Sequence, residues 1–538
     1  MERSGTGQLG DTNLDVSGKL DIVCAPASLE DATIEFTVQE RARRCMTKEL
    51  VEATRSASSK AKQSCNLTLR ALTASIVSLI NVLDPEIILL GGGIADAENM
   101  LLETLEIYFA KMEWRTNGMG RSGRRYKRRR KVRGKTMNKM TSRERVLNAI
   151  QHLPVDRTPI DLGGTRQSGI AVEAYARLRK RLGIDTGRPP RVFDVFQMLA
   201  EIEPEIMARF HSDCVSLERP AVAFGIENDN WKRYTLPNGM EVETPGGFNP
   251  EREPDGSLVL KRDGEEIGRM PANGFYFDRL EKYPGALHPD LNAWEVPLIP
   301  ARTFDYYARR AKELHDGTDK AVICAMGPPY ELFMGIGQGG FEDWMVTFAS
   351  EPEYVERLYH KLTDAWIENL QSLHAAAGDR IHILQIADDF GAQRAPFLSV
   401  KMFRKLLLPA YKRGLDWIHE NTVWKVMLHS DGAIFSLLPS IVEMGVDIIN
   451  PVQTTAAGMD PRLLKDEFGA QLVFWGGSCD SQHTLAFSTP EVVVKETRSN
   501  LEILAPGGGF VFASVHNIQA NVPADNIIAL FDTAIEFH

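Results

Sequence analysis

The chain has 538 residues, 43% of them hydrophobic and 25% charged, and a formal net charge of −10 at pH 7. This composition excludes low-complexity and collagen-like classes, and the length leaves room for two or three domains. No apolar run approaches the roughly 20 residues of a membrane span, and the N-terminus lacks the apolar core of a secretory signal. Six cysteines without C-x-x-C spacing suit a reducing compartment better than a disulfide framework, so a cytoplasmic location is expected.

The charge is unevenly placed. Arg121 to Lys135, "RSGRRYKRRRKVRGK", holds ten Lys or Arg and no acid, leaving a net charge of about −20 elsewhere. Such a block repels itself and is expected to be disordered. With Tyr126 the single aromatic among its basic residues, too few for a base-stacking surface, it reads as a solvated linker (residues 116–140) rather than a specific nucleic-acid binder.

Before the linker, "LTASIVSLINVLDPEIILLGGGIADAENMLLETLEIYF" reads as helix, strand, glycine turn and helix, with Asp84-Pro85 breaking the first helix. Residues 1–115 carry this unit and resemble the C-terminal lobe of ROK sugar kinases and repressors, in which an "LDPE…GGG" turn lies near a nucleotide base. In "GQLGD" the resemblance would place a zinc-binding His where Asp11 stands. The family's phosphate loop, catalytic Asp and cysteine-rich zinc motif have no counterpart, which implies a partial α/β lobe without kinase activity.

From Thr141 the chain alternates short apolar runs with amphipathic helices. The runs are 157–162, 213–217, 321–326, 381–387, 424–428, 446–451, 471–475 and 510–514. Continuous apolar strands separated by helices imply a parallel sheet, and eight of them predict a (β/α)8 TIM barrel over 141–538. Residues 225–275 break the rhythm with alternating patterns around Asn238-Gly239 and Asp263-Gly264, predicting a β-rich hairpin insertion after the second strand. In such barrels the functional face is the carboxyl end of the strands. The expected mouth therefore gathers "GGTR", "ERP", "GPPYE", "DDFGAQ", "HSDG", "VQ", "GGSCD" and "VHN".

Taken alone, His429 reads as a metal ligand, an acid–base group or a strand-end hydrogen-bonding His. Asp431 before Gly432 also makes a good turn cap, Cys479 a buried filler, and Asp388-Asp389 a helix cap. Tyr330 suits ring stacking or core packing. The glycine pairs 163–164 and 476–477 suit tight turns better than phosphate binding.

Five ordered blocks, from "GPPYELFMG" through "ADDFGAQRAPF", "HSDGAIFSLLPS…INPVQ" and "FWGGSCD" to "FASVHNIQANVP", resemble the uroporphyrinogen decarboxylase superfamily. The resemblance implies an enzyme of one of two chemistries. One is zinc-assisted methyl transfer from a corrinoid (methylcobalamin on a partner protein) to a thiol or folate-type acceptor. The other is decarboxylation of a tetrapyrrole-like or smaller carboxylated substrate in porphyrin metabolism. A binding protein that has lost the chemistry is the third reading.

For methyl transfer the expected ligands are His429, Asp431 (where the family has Cys), Cys479 and His516. Asp213, Tyr330 and Asp389 are expected as catalytic residues, and Arg166, Gln197, Arg219, Asp388, Gln393, Gln453 and Asn517 as substrate contacts. An acidic mouth, with Asp161, Asp213, Asp388, Asp389, Asp431 and Asp480 against Arg166, Arg219 and Arg394, is expected to repel a substrate with eight carboxylates. The expected partners are a small-molecule substrate and a corrinoid protein, with no membrane.

Overall fold

The computed structural model describes residues 139–277, 288–329 and 340–537, with the short strands Ile22–Cys24, Ile88–Leu90 and Arg279–Leu280. The chain divides into two compact units, Met1–Gly134 and Lys135–His538. In the first, Ile88–Leu90 of the expected apolar strand pairs antiparallel with Ile22–Cys24. The remaining expectations for the lobe and nearly all of those for the linker lie outside the described residues.

In the second unit seven parallel strands follow one another in space in chain order: β1 (Cys214–Leu217), β2 (Ala321–Ala325), β3 (Ile383–Ala387), β4 (Lys425–His429), β5 (Ile448–Asn450), β6 (Val473–Trp475) and β7 (Phe510–Val511). Ile160 bridges in parallel to both Ser212, beside β1, and Phe512, beside β7. Asp161 N–H donates to the Phe512 carbonyl at 2.8 Å, and Asp213 N–H to the Ile160 carbonyl at 2.7 Å. The first apolar run is thus the eighth stave, closing the sheet into a barrel. All eight expected runs lie in it.

The interior is filled by alternate residues of each strand, as the two-residue repeat of a strand requires. Cys214, Ile323, Ile383, Met427, Ile448, Val473, Trp475 and Val511 form one buried cluster with Val146, Ala149 and Ile150 of helix α1 (Ser142–Ile150). That helix stoppers the amino end of the barrel. It starts at a capping box, in which Thr141 Oγ1 accepts from Glu144 N–H and the Glu144 carboxylate accepts from Thr141 N–H at 2.9 Å.

Asp213 belongs to this amino end, which corrects its expected place at the mouth. It precedes β1, and its fully buried carboxylate accepts from Arg145 of α1 at 2.6 Å, from Arg157 at 2.7 and 2.8 Å, and from Ile160 N–H at 2.8 Å. An apolar run in a sequence does not declare which end its flanking acid occupies. Asp213 clamps the stopper helix and the first stave to the second.

The insertion contains the expected hairpins. Lys232–Thr235 pairs with Glu241–Thr244, and Leu258–Arg262 with Glu265–Met270. Asp263 and Gly264 both have positive φ, 53° and 86°, as the twist-matching two-residue turn requires. The insertion packs on a hairpin the sequence reading did not anticipate, Val192–Asp194 with Leu199–Ala200. Phe196 of that hairpin, Phe224 and Phe277 meet edge to face at 6.2 and 5.4 Å, and Arg191 lies over the Trp231 ring. No helix among the described residues is long and apolar enough to cross a membrane.

Two stability predictions follow from the amino end. Asp213→Ala removes the carboxylate shared by two arginines, of which buried Arg145 keeps Asp156 as a partner, and should lower unfolding stability by up to roughly 3 kcal/mol in a denaturant titration. His382, beside β3, accepts Val322 N–H on Nδ1 at 3.0 Å. Burial, with help from Arg143 and His315, pushes its pKa down to about 4. The folded value lies below the free one, so its contribution is complete above the ordinary histidine pKa and lost as pH falls from there toward 4. His382→Gln should flatten that part of the stability–pH curve.

Candidate metal centre at the barrel mouth

The sequence "WKVMLHSDG" is resolved by the register of β4. Met427 faces the interior cluster, so His429 two residues on also faces inward, at the carboxyl rim. Beyond it the chain must turn against the loop after β3. Gly432 has φ +88°, and a β-carbon there would collide with the Gly391 carbonyl. The two loops are joined further by Phe390 N–H donating to Ser430 Oγ at 2.9 Å, Ala433 N–H to the Ala392 carbonyl at 2.8 Å, and Asp431 N–H to Asp389 Oδ1 at 2.8 Å. Those contacts fold Asp431 back over the His429 ring.

Three side chains from two strand ends converge. Asp431 Oδ2 lies 3.5 Å from His429 Nε2 and 3.8 Å from His516 Nε2, and the three donor atoms all lie within 4.8 Å of one another. Ligand atoms about 2.0–2.1 Å from a tetrahedral zinc stand roughly 3.4 Å apart, so two of the spacings already approach that value. The neighbouring strand sets the His429 tautomer. Asn450 donates through Nδ2 to the Trp475 carbonyl at 3.2 Å, so its Oδ1 must be the acceptor for His429 Nδ1–H at 2.7 Å. Nε2 is left facing Asp431. The donor set, two imidazoles and one carboxylate, suits a divalent ion with an open coordination position.

The charges are tightly linked. Burial opposes a charge on His429, but the hydrogen bond and charge of Asp431 overcome it and hold the imidazolium up to about 9. Burial raises Asp431, and His429 more than reverses this, keeping the carboxylate ionised. Burial lowers His516 despite the attraction of Asp431. Asp389 acts electrostatically on both imidazoles.

The fourth expected ligand, Cys479, is not in this group among the described residues. It is 1% exposed in the apolar core beside the barrel, and burial holds its thiol far above the usual range. It packs as a buried thiol. Asp388 is also fully buried and accepts from Tyr411 Oη at 2.7 Å, on helix Leu408–Asn421 outside the barrel, so it faces away from the expected substrate space. Asp480 organises its own turn, accepting from the N–H groups of Gln482 and His483. Tyr330 lies outside the described residues.

The other expected contacts surround the mouth. Arg166 pairs with buried Asp194 at 3.3 Å. Gln197, on the unanticipated hairpin, meets Asn517, which also bonds Gln519. Gln453 accepts from Gly432 N–H at 2.7 Å and donates to Gln393 at 3.0 Å. Arg219 is exposed beyond β1. Sequence reasoning missed Asn450, whose polar side chain is hidden inside an apolar run. Its one signal was its position in the last residue of a strand beside His429.

A closed parallel barrel with an inward-facing His–Asp–His group at the carboxyl ends of its strands defines an α/β-barrel enzyme with a metal-competent mouth. The comparisons show which families the chain is similar to. The description "Uroporphyrinogen decarboxylase (URO-D)" matches residues 282–537, and "ROK family" matches residues 20–118. The carboxyl-terminal part of the barrel unit is thus similar to the uroporphyrinogen decarboxylase family, and the first unit carries a segment similar to the ROK family.

Among curated proteins, the uroporphyrinogen decarboxylase of Alkalilimnicola ehrlichii is 23% identical over 403 residues, 72% of this chain and 92% of that protein. That of Magnetococcus marinus is 22% identical over 408 residues, 73% of this chain and 96% of that protein. Among solved structures, a methyltransferase from Methanosarcina mazei aligns with a TM-score of 0.47 at 18% identity, covering 74% of this chain and 99% of that one.

Asn450→Leu should lower zinc affinity roughly 10–100-fold in a chelator competition, because it frees the orientation and tautomer of His429. Cys479→Ala should leave that affinity unchanged.

Proposed function

We propose that the protein transfers a methyl group, from a corrinoid carried by a partner protein, to a thiol or folate-type acceptor activated at a divalent metal, preferably zinc. The observation that supports this reading is the convergence of His429 Nε2, Asp431 and His516 Nε2 within 4.8 Å. When bound, the metal supplies a Lewis-acid centre that stabilises the acceptor in its deprotonated, nucleophilic form.

The chain's own residues do the rest. Asn450 orients His429, and the Asp389 carboxylate tethers the backbone of Asp431. In this reading Asp389 takes the proton that the acceptor loses. The acceptor's freed electron pair then forms the new bond to the methyl carbon, and the donor keeps the pair of the bond that breaks.

Decarboxylation is the second reading, favoured by the names of the relatives at 22–23% identity. Electrostatics argue against a polyanionic substrate. Arg166 is engaged by Asp194, the raised His429 imidazolium is paired with Asp431, and Asp389 adds a further acidic group at the mouth. Buried carboxylates need paired cations.

Elemental analysis of the full-length protein should find close to one divalent metal per chain. His429→Ala and His516→Ala should each bring this near background, and Cys479→Ala should not. Retention of metal by both histidine variants would refute the ligand set. Incubation with uroporphyrinogen should release no carbon dioxide, and release would favour the second reading instead.

A further inference from the structure

The upper interior of the barrel holds a polar element that the metal centre does not use. Counting up β3, Ile383 faces the interior cluster, so Gln385 and Ala387 face inward too. The registers pair Gln385 with Ala325 of β2, and Ala387 with His429 of β4. Ala325 is solvent-exposed although it sits on a barrel strand between buried neighbours. Open space therefore reaches into the barrel beside Gln385.

Two residues along a strand and one strand across place the Cα of Gln385 about 8 Å from that of His429. A small molecule can span that distance.

Gln385 is 4% exposed and Gln167, on the loop after the first stave, 9%. The Gln385 Nε2 amide donates to Gln167 Oε1 at 3.1 Å. The pair is left with a carbonyl oxygen, Gln385 Oε1, and an amide nitrogen, Gln167 Nε2. Neither has a partner among the described residues, and neither is among the sealed, unsatisfied polar atoms. Exchanging O and N in both amides still leaves one acceptor and one donor.

Side chains this deeply buried rarely leave hydrogen-bonding capacity unused unless solvent or a ligand takes it up. An acceptor beside a donor complements a group that offers both. A carboxylate only accepts and an ammonium only donates, whereas a carboxamide does both in one plane. Gln197, Asn517 and Gln519 form a further joined set of uncharged amides at the mouth.

We propose that Gln167 and Gln385 are the specificity element of this site and select a substrate bearing an uncharged carboxamide or lactam group, seated beside Ala325 with its reacting end toward His429. The direction of the reacting end rests on the metal-centre reading above. The amide selectivity does not.

The test uses the full chain and two probes that differ only in the group recognised, benzamide and benzoate, with binding measured by ligand-observed NMR titration. Benzamide should bind at least tenfold more tightly than benzoate. Gln385→Met should reduce that preference to less than about twofold, as expected when a buried polar group loses its partner. Gln167→Met, on a loop rather than a strand, should do the same and serves if the first variant fails to fold.

Equal or tighter binding of benzoate, no benzamide binding at its solubility limit, or a preference that survives in both variants would overturn the proposal. Zinc content measured on the same samples separates the two readings. Amide preference without zinc removes the metal centre alone, and zinc without amide preference removes this element alone.

Discussion

The mouth of this barrel depends on two loops that press together with no side chain between them. Gly391 and Gly432 pass so closely that a β-carbon at Gly432 would meet the opposite backbone, and three hydrogen bonds join the loops on either side of that crossing. The close approach carries Asp431 back over β4 to face its own neighbour, His429. Without it the Asp431 carboxylate would have no reason to stand between two imidazoles from strands distant in the barrel. The acidic loop after β3 is part of the same device, because Asp389 grips the backbone of Asp431 rather than approaching the two imidazoles through a bond of its own.

The barrel gives this device a fixed floor. Helix α1 and the Asp213 clamp close the amino end, so the carboxyl end is where open space and polar side chains remain. Asn450 converts this rigidity into chemistry. Its amide is committed at one end to the Trp475 carbonyl, so the other end dictates which nitrogen of His429 carries hydrogen. A carboxylate or imidazole that must be pulled from its own partners would bind a metal less well than one already aimed.

Much of this was readable from the sequence, for identifiable reasons. Strands buried on both faces are continuously apolar, and eight such runs alternating with helices leave few alternatives to a barrel. His429 ends its strand, and Asp431 and His516 lie a few residues past the carboxyl ends of theirs, so topology alone placed them on one rim.

The misplaced residues share a cause: adjacency to an apolar run does not tell which end, or which face, a polar residue occupies. Asp213 precedes its strand and lies at the floor. Asp388 turns outward to Tyr411 while Asp389, one residue on, serves the mouth. Cys479 follows its strand but packs into the core, where a thiol behaves as a small apolar group. Asn450 and Gln385 were hidden by the opposite effect, as single polar residues inside strands read as apolar. Their role appears only when the register shows which neighbours they face.

The central claim is that two imidazoles and one carboxylate, without a protein thiolate, make the metal centre. X-ray absorption spectroscopy of the zinc-loaded full-length protein without added thiol tests it most directly. The account predicts a nitrogen and oxygen shell at about 2.0–2.1 Å with the outer scattering of two imidazoles. A sulfur scatterer at about 2.3 Å that disappears in Cys479→Ala would contradict it.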